Sequence, residues 1–251
     1  ERAAVTGVTV SGEITGKNNS AGIVGYLNQY ADVDTCANYA TIRATATGSY
    51  FGGIVGVMGR NTSTVSNCYN AGAVMGHNYN GGIIGNIATK GGAANVKNVF
   101  NVGEIGDGAS NSSIACSSTS ASELDQIQNA YAIKDYNVAN GYELVTTEQM
   151  ASGEIAYRLG KPFGQTIGND AHPVFGGKEV FYDAENDSYY NEKKPVEDND
   201  YTLRVLTFED NDYKGEPNYL GKSTWSSLID EPQYGGPLLY GPDGMGVTNK
   251  K

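Results

Sequence analysis

Residues 52–74 read GGIVGVMGRNTSTVSNCYNAGAV. A glycine-flanked aliphatic pair leads into a polar turn and then into the short run Asn67–Gly72. A dedicated site would occur once, whereas this stretch recurs. Ile23-Val24-Gly25, Ile54-Val55-Gly56 and Ile83-Ile84-Gly85 follow one another at intervals of 31 and 29 residues, and a degenerate Ile114-Ala115-Cys116 comes 31 residues later. The second half of the stretch keeps the same step. Val8, Cys36, Cys68, Val99 and Ala130 are separated by 28, 32, 31 and 31 residues, and Ile14, Ile42, Val74 and Ile105 stand six residues after the first four. A fixed period over this length marks a repeat architecture.

Each tile holds two short runs of β-forming residues separated by Gly, Asn, Ser and Thr, with no sustained helical periodicity. One such tile cannot bury its own apolar side, so neighbours must stack on a shared core. The expected fold is therefore all-β: a parallel β-solenoid of about four to five coils of some 30 residues, with a small α/β cap and a short C-terminal β unit. Ile23, Ile54, Ile83 and Ile114 are expected to stack inside. The glycines are assigned to tight corners through their access to positive φ. Asn38, Asn70 and Asn101 recur in phase and are expected to form a side-chain amide ladder along the axis.

The motifs GGIVG…NCYNAGAV and GGIIG…NVFNVGEI resemble the GLUG repeat of bacterial surface proteins, a family of adhesin-like proteins that also occurs beside immunoglobulin A1 peptidases. The resemblance spans residues 5 to about 133. It departs at the last tile, where SSIAC replaces the glycines. It implies an extracellular, cell-surface setting and does not imply a reaction. The gut setting and the Bacteroidetes are implied instead by TTEQMASGEIAYRLG…FGQTIGNDAHPVF, similar to a segment that follows such repeats in gut-bacterial surface proteins, and by the resemblance of the chain past residue 200.

The 251 residues carry 34 glycines, 39% hydrophobic residues and a formal charge of −11. That acidity argues against nucleic acid. No apolar run approaches the roughly 18 residues that span a bilayer. The chain opens ERAAVTG with no signal peptide, which reads as a mature or trimmed form. Residues 1–140 hold 9 acids and 7 bases, residues 141–251 hold 19 and 10. Charge and repeat phase thus both place a boundary near 140.

The second part divides into a helix-plus-hairpin cap at 141–182, an acidic linker or hairpin tip at 183–200, and an incomplete β-sandwich-like unit at 201–251. Thr146 and Gln149 predict a capping box opening a helix over 146–160, with Met150, Ile155 and Leu159 on its apolar face and Gly153 weakening it. A solenoid end is a row of unpaired strand groups, so the cap is expected to cover the last coil. Residues 201–241 resemble the first strands of a β-sandwich domain of Bacteroidetes surface proteins, some members of which bind corrinoids.

Little here suggests chemistry. His77 and His172 lie in no metal-ligand spacing and beside no nucleophile motif. Cys36 and Cys68 occupy one tile position in successive coils, about 4.8 Å apart, within disulfide range. Side chains on neighbouring rungs point alike, however, which favours small buried hydrophobes. Glu209, Asp210 and Asp212 are candidate calcium ligands, calcium being the one cofactor the chain suggests. Trp225, Tyr219 and Tyr234 are candidate stacking groups for a ligand, against the alternative that they form the sandwich core.

Two functions follow. The first is a non-catalytic extracellular structural or adhesive module of a bacterial cell-surface protein. The alternative is an accessory domain that binds glycan or corrinoid through the C-terminal aromatics. Partners would be a host or dietary glycan, a host surface protein or a corrinoid; nucleic acid is not among them.

Overall fold

The computed structural model describes residues 3–59, 63–88, 95–108, 110–118, 124, 127–136 and 141–192, together with the backbone of 239–240 and 246–247. The chain divides into two compact units, Glu1–Lys193 and Lys194–Lys251.

The first unit is a parallel β-solenoid of four coils with a fifth begun. Coil one comprises β1 (Ala3–Thr6), β2 (Thr9–Val10), β3 (Glu13–Gly16), β4 (Ser20–Ala21) and β5 (Val24–Leu27). Coil two comprises β6 (Ala31–Asp34), β7 (Ala37–Asn38), β8 (Thr41–Ala44), β9 (Phe51–Gly52) and β10 (Val55–Gly59). Coil three has β11 (Thr64–Asn70), β12 (Val74–Met75), β13 (Asn80–Gly81) and β14 (Ile84–Ala88). Coil four has β15 (Asn95–Asn101), β16 (Asn111–Ser112) and β17 (Ala115–Ser117), with Ile105 bridging to Val74. β18 (Ile127–Ala132) begins the fifth, and β19 (Glu143–Leu144) adds a short further rung to it.

Equivalent strands pair in parallel, in the order β1-β6-β11-β15-β18-β19 on one face, with β2-β7 running beside it onto β11. The other faces are β3-β8-β12, β4-β9-β13-β16 and β5-β10-β14-β17. The register is that of the repeat: Val55 opposes Val24 and Ile84, and Val99 opposes Cys68 and Ala130. Ile54, Ile83 and Ile114 are fully buried in one column, against which Ile23 packs partly buried. Their backbones join as well: Ile23 N–H donates to Ile54 O (3.2 Å), Ile54 N–H to Ile83 O (3.0 Å) and Ile83 N–H to Ile114 O (2.9 Å).

The amide ladder is present. Asn38 Nδ2 donates to Asn70 Oδ1 at 2.7 Å, and Asn70 Nδ2 to Asn101 Oδ1 at 2.8 Å. Each amide also donates to the carbonyl two residues on (Ala40, Gly72, Gly103) and accepts from the same residue's N–H. All three asparagines are buried, so these bonds replace water that cannot reach them.

The ladder changes the reading of GGIVG. Its glycines do not have positive φ. A Cβ on Gly53 would lie 2.1 Å from the Gly82 carbonyl oxygen and 2.4 Å from Asn70 Cγ. Glycine is required there for close approach of the stacked backbone to the ladder, and the corner explanation is corrected accordingly.

Positive φ falls elsewhere, where the long face bends. Gly7, Thr35, Asn67, Asn98 and Asn129 occupy one repeat position with φ of 71, 53, 50, 53 and 49°. Asparagine tolerates this region better than most residues. It also builds a second, outer ladder: Asn129 Nδ2 to Asn98 Oδ1 (2.8 Å), Asn98 Nδ2 to Asn67 Oδ1 (3.0 Å) and Asn67 Nδ2 to Asp34 Oδ1 (2.8 Å).

Asp34 ends that ladder. Burial alone would raise its carboxyl, but hydrogen bonds from Ser66, Thr35 and Asn67, with the Lys97 charge, hold it below the ordinary value of 3.8. A depressed folded value means that the stabilisation is complete above the unfolded pKa and is lost as pH falls through the folded one. Asp34→Asn should therefore melt below the parent at pH 7, and the gap should close as pH drops below 3.8. Thermal melts across that range check it; a gap independent of pH would assign the effect to something other than this carboxylate.

The cap departs from expectation in two respects. Its helix is two short helices, α1 (Thr147–Ala151) and α2 (Glu154–Leu159), separated at Gly153, whose φ is 94°. The Thr146–Gln149 capping box forms on both sides, with Gln149 N–H to Thr146 Oγ1 at 3.1 Å and Thr146 N–H to Gln149 Oε1 at 2.9 Å. Second, the helices do not lie over the end of the stack as expected. Met150, Ile155, Leu159 and Phe163 pack on a lateral row of Ala37, Tyr69, Phe100 and Tyr131. Strand alternation is the reason: Cys68, Val99 and Ala130 point into the core, so the next residues, Tyr69, Phe100 and Tyr131, must point out. That outward aromatic column needs cover. The strand end itself is extended by β19, with Tyr142 against the core.

After α2, β20 (Phe163–Gly164) pairs antiparallel with β21 (Val174–Phe175), and β22 (Phe181–Asp183) with β23 (Ser188–Tyr190). Within the run read above as linker or hairpin tip, residues 184–190 are thus the turn and second strand of a hairpin; 193–200 lie outside the described residues. In the second unit, β24 (Leu239–Tyr240) pairs antiparallel with β25 (Gly246–Val247).

Ile155→Asp should release this clasp, because an unpaired buried carboxylate costs several kcal/mol. The exposed aromatic row should then drive self-association, visible in sedimentation. A monomeric variant with an unchanged melt would make the clasp an independent appendage.

Candidate functional site

The C-terminal candidates, Tyr219, Trp225 and Tyr234 for stacking and Glu209, Asp210 and Asp212 for calcium, lie outside the described residues. Among the described residues, no group of three or more His, Cys, Asp or Glu side chains converges on a common point.

The cysteines and His172 have structural partners among the described residues. Cys36, Cys68 and Cys116 are free thiols and buried. The Cys68 thiol donates to Ser66 O at 3.0 Å, and burial pushes it well up. Burial likewise pushes Cys116 up to about 12. Cys68 and Cys116 therefore hold little of the reactive thiolate, whereas the hydrogen bond with Cys68 brings the Cys36 thiol down to about 7. His172 sits beneath the clasp, 5.6 Å from the Tyr69 ring and 5.7 Å from Phe100, with Nδ1 2.8 Å from Pro173 O.

Arg158 ties α2 to the last rung. Its Nη1 donates to Glu143 Oε1 at 2.9 Å and to Glu154 Oε1 at 3.2 Å, Nη2 bonds Glu143 Oε2, and the guanidinium lies 4.7 Å from the Tyr131 ring centroid. The Arg158 hydrogen bonds hold the Glu143 carboxyl below its ordinary value.

Comparison of the chain with family models, with curated proteins and with solved structures found no match.

Among the described residues, two surface features stand out once these roles are assigned. The first is a shallow polar groove of about 400 Å³ lined by Asn18, Thr47, Gly48, Ser49, His77 and Asn78. Tyr50 and Tyr79 flank it in sequence, at φ of 74 and 53° and with rings 5.3 Å apart. Their counterpart in coil one is Asn19, at φ 50°. A bulky residue in this region is a strained choice.

The second feature is on the clasp. A cleft of about 530 Å³ opens between α2 and the loop before β22, and its lining includes Tyr157, Lys161, Pro162, Phe163, Glu179 and Val180. The Tyr157 ring lies 5.8 Å from Tyr182 and 5.7 Å from Tyr189, which are themselves 5.0 Å apart. Tyr182 is anchored by a 2.8 Å hydrogen bond from its hydroxyl to Asp187 Oδ1. Sequence reading passed over these tyrosines because they are scattered, Tyr157 in the helix, Tyr182 before the acidic run 183–200 and Tyr189 within it. The usable signal was the strand alternation of FYD and SYY around a turn.

Proposed function

We propose that the chain is a non-catalytic extracellular module of a bacterial cell-surface protein, holding and presenting surface as a stalk or adhesin does. The observation that carries this reading is the use of the repeated side chains. The isoleucine column, both asparagine ladders and the ladder-facing glycines are all engaged in stacking coil on coil. The resemblance of the tiles to GLUG repeats supports the cell-surface setting. Among the described residues, no helix is long and apolar enough to cross a membrane. The test is adhesion of the purified chain to immobilised host proteins and host or dietary glycans, with product analysis in parallel. Binding without turnover is expected; hydrolysis of a glycan or peptide bond would overturn the reading.

A second reading rests on the density of aromatics in residues 213–240. There the chain would bind glycan or corrinoid through Trp225, Tyr219 and Tyr234, with calcium held by Glu209, Asp210 and Asp212. Trp225→Ala should then abolish binding while leaving the melt of the solenoid unchanged.

A further inference from the structure

The geometry points to a second, separate site: the cleft on the clasp binds a neutral oligosaccharide, with Tyr157 as the stacking platform and Lys161 and Glu179 as hydroxyl partners. This goes beyond surface presentation and does not involve the C-terminal aromatics.

Three observations carry it. First, two of the tyrosines keep ring surface exposed. Tyr157 and Tyr182 are 48% and 37% exposed, although α2 buries Ile155, Ala156 and Leu159 on its other side. A ring held on a short helix and braced by two others presents an apolar face at low entropic cost, because little rotamer freedom is left to lose.

Second, the cleft has the size and lining of a ligand site. At about 530 Å³ it falls within the range of about 300–1,000 Å³ for small-ligand pockets. Tyr157, Pro162, Phe163 and Val180 make it predominantly apolar, and its two charged lining residues, Lys161 and Glu179, are 3.6 Å apart and mostly exposed. An exposed ion pair adds little to stability. It does place an ammonium donor beside a carboxylate acceptor, at the edge of an aromatic surface. A sugar ring matches that arrangement, with an apolar C–H face and hydroxyls that both donate and accept around its rim.

Third, charge disfavours the anionic competitors. The formal charge of −11 repels anionic glycans at long range.

Titration calorimetry of the full chain against maltotetraose, cellotetraose, mannotetraose and a heparin tetrasaccharide tests the assignment. At least one neutral oligosaccharide should bind and the heparin fragment should not. Tyr157→Ala should weaken binding at least tenfold and Tyr182→Ala several-fold. Tyr157→Phe keeps the ring and should retain binding, which separates the ring from the hydroxyl, and an unchanged thermal melt of Tyr157→Ala separates stacking from folding. Tyr26→Ala, on the distant β5, should change nothing. The proposal is overturned if no neutral oligosaccharide binds, if Tyr157→Ala binds like the parent, or if only Trp225→Ala abolishes binding. Cleavage of the titrated sugar would instead overturn the non-catalytic reading and leave the binding site standing.

Discussion

Ile54→Asp is expected to abolish the cooperative melt of the solenoid. Ile54 is fully buried at the centre of the isoleucine column. Its carbonyl accepts from Ile23 N–H (3.2 Å) and Val24 N–H (3.0 Å), and its own N–H donates to Ile83 O (3.0 Å). The side chain therefore cannot swing to solvent without opening the rungs above and below. An unpaired buried carboxylate costs about 3–5 kcal/mol, and truncating a core aliphatic costs about 2–5 kcal/mol more. Together these approach the whole stability of a typical domain, about 5–15 kcal/mol. Ile54→Val is the control and should cost only about 0.5–1.5 kcal/mol. Circular dichroism melts of the three proteins decide the matter: an Asp variant melting with the parent would mean that this column is not the core.

Asn70→Ala should be the most damaging change that removes no apolar contact. The amide accepts from Asn38 Nδ2 and Gly72 N–H and donates to Asn101 Oδ1 and Gly72 O. Truncation leaves several of these groups short of a partner in a place closed to water. Each unsatisfied buried group costs about 1–3 kcal/mol, so a loss of about 3 kcal/mol or more is expected. The outer ladder offers a matched comparison. Asn98→Gly keeps positive φ accessible and removes bonds to Asn67 and Asn129 at a half-buried position. Water can replace those bonds, and the expected loss is about 1 kcal/mol. Urea unfolding of the two variants should therefore separate clearly. Equal losses would show that burial does not distinguish the two ladders.

Much of this architecture was legible in the residues because a stacked fold writes its register directly into the period. With one coil per tile, residues about 31 apart become neighbours, so in-phase Ile, Cys/Val and Asn positions could be assigned to columns without further information. The Thr146–Gln149 capping box was legible for the opposite reason: it is local, and depends only on side chains reaching their own backbone. The asparagine ladder combined the two, a periodic position and a side chain able both to donate and to accept.

Other features depended on which way each strand faces and what lies beyond it, and these only the tertiary structure decided. Tyr69, Phe100 and Tyr131 are as periodic as the isoleucines, yet period alone does not say that they point outward, and hence that the helices lie along the stack and not over its end. The glycines of GGIVG were assigned the wrong cause for a similar reason. Positive φ is a property of one residue, whereas the 2.1 Å approach to the Gly82 carbonyl exists only once the next coil is in place. The clasp cleft depends on three segments, α2, the loop around Lys161 and Pro162, and the strand-flanking residues near Glu179, that meet only through antiparallel pairing. Periodicity determines which residues are stacked; the packing of non-repeating elements against that stack decides which surface is left to bind.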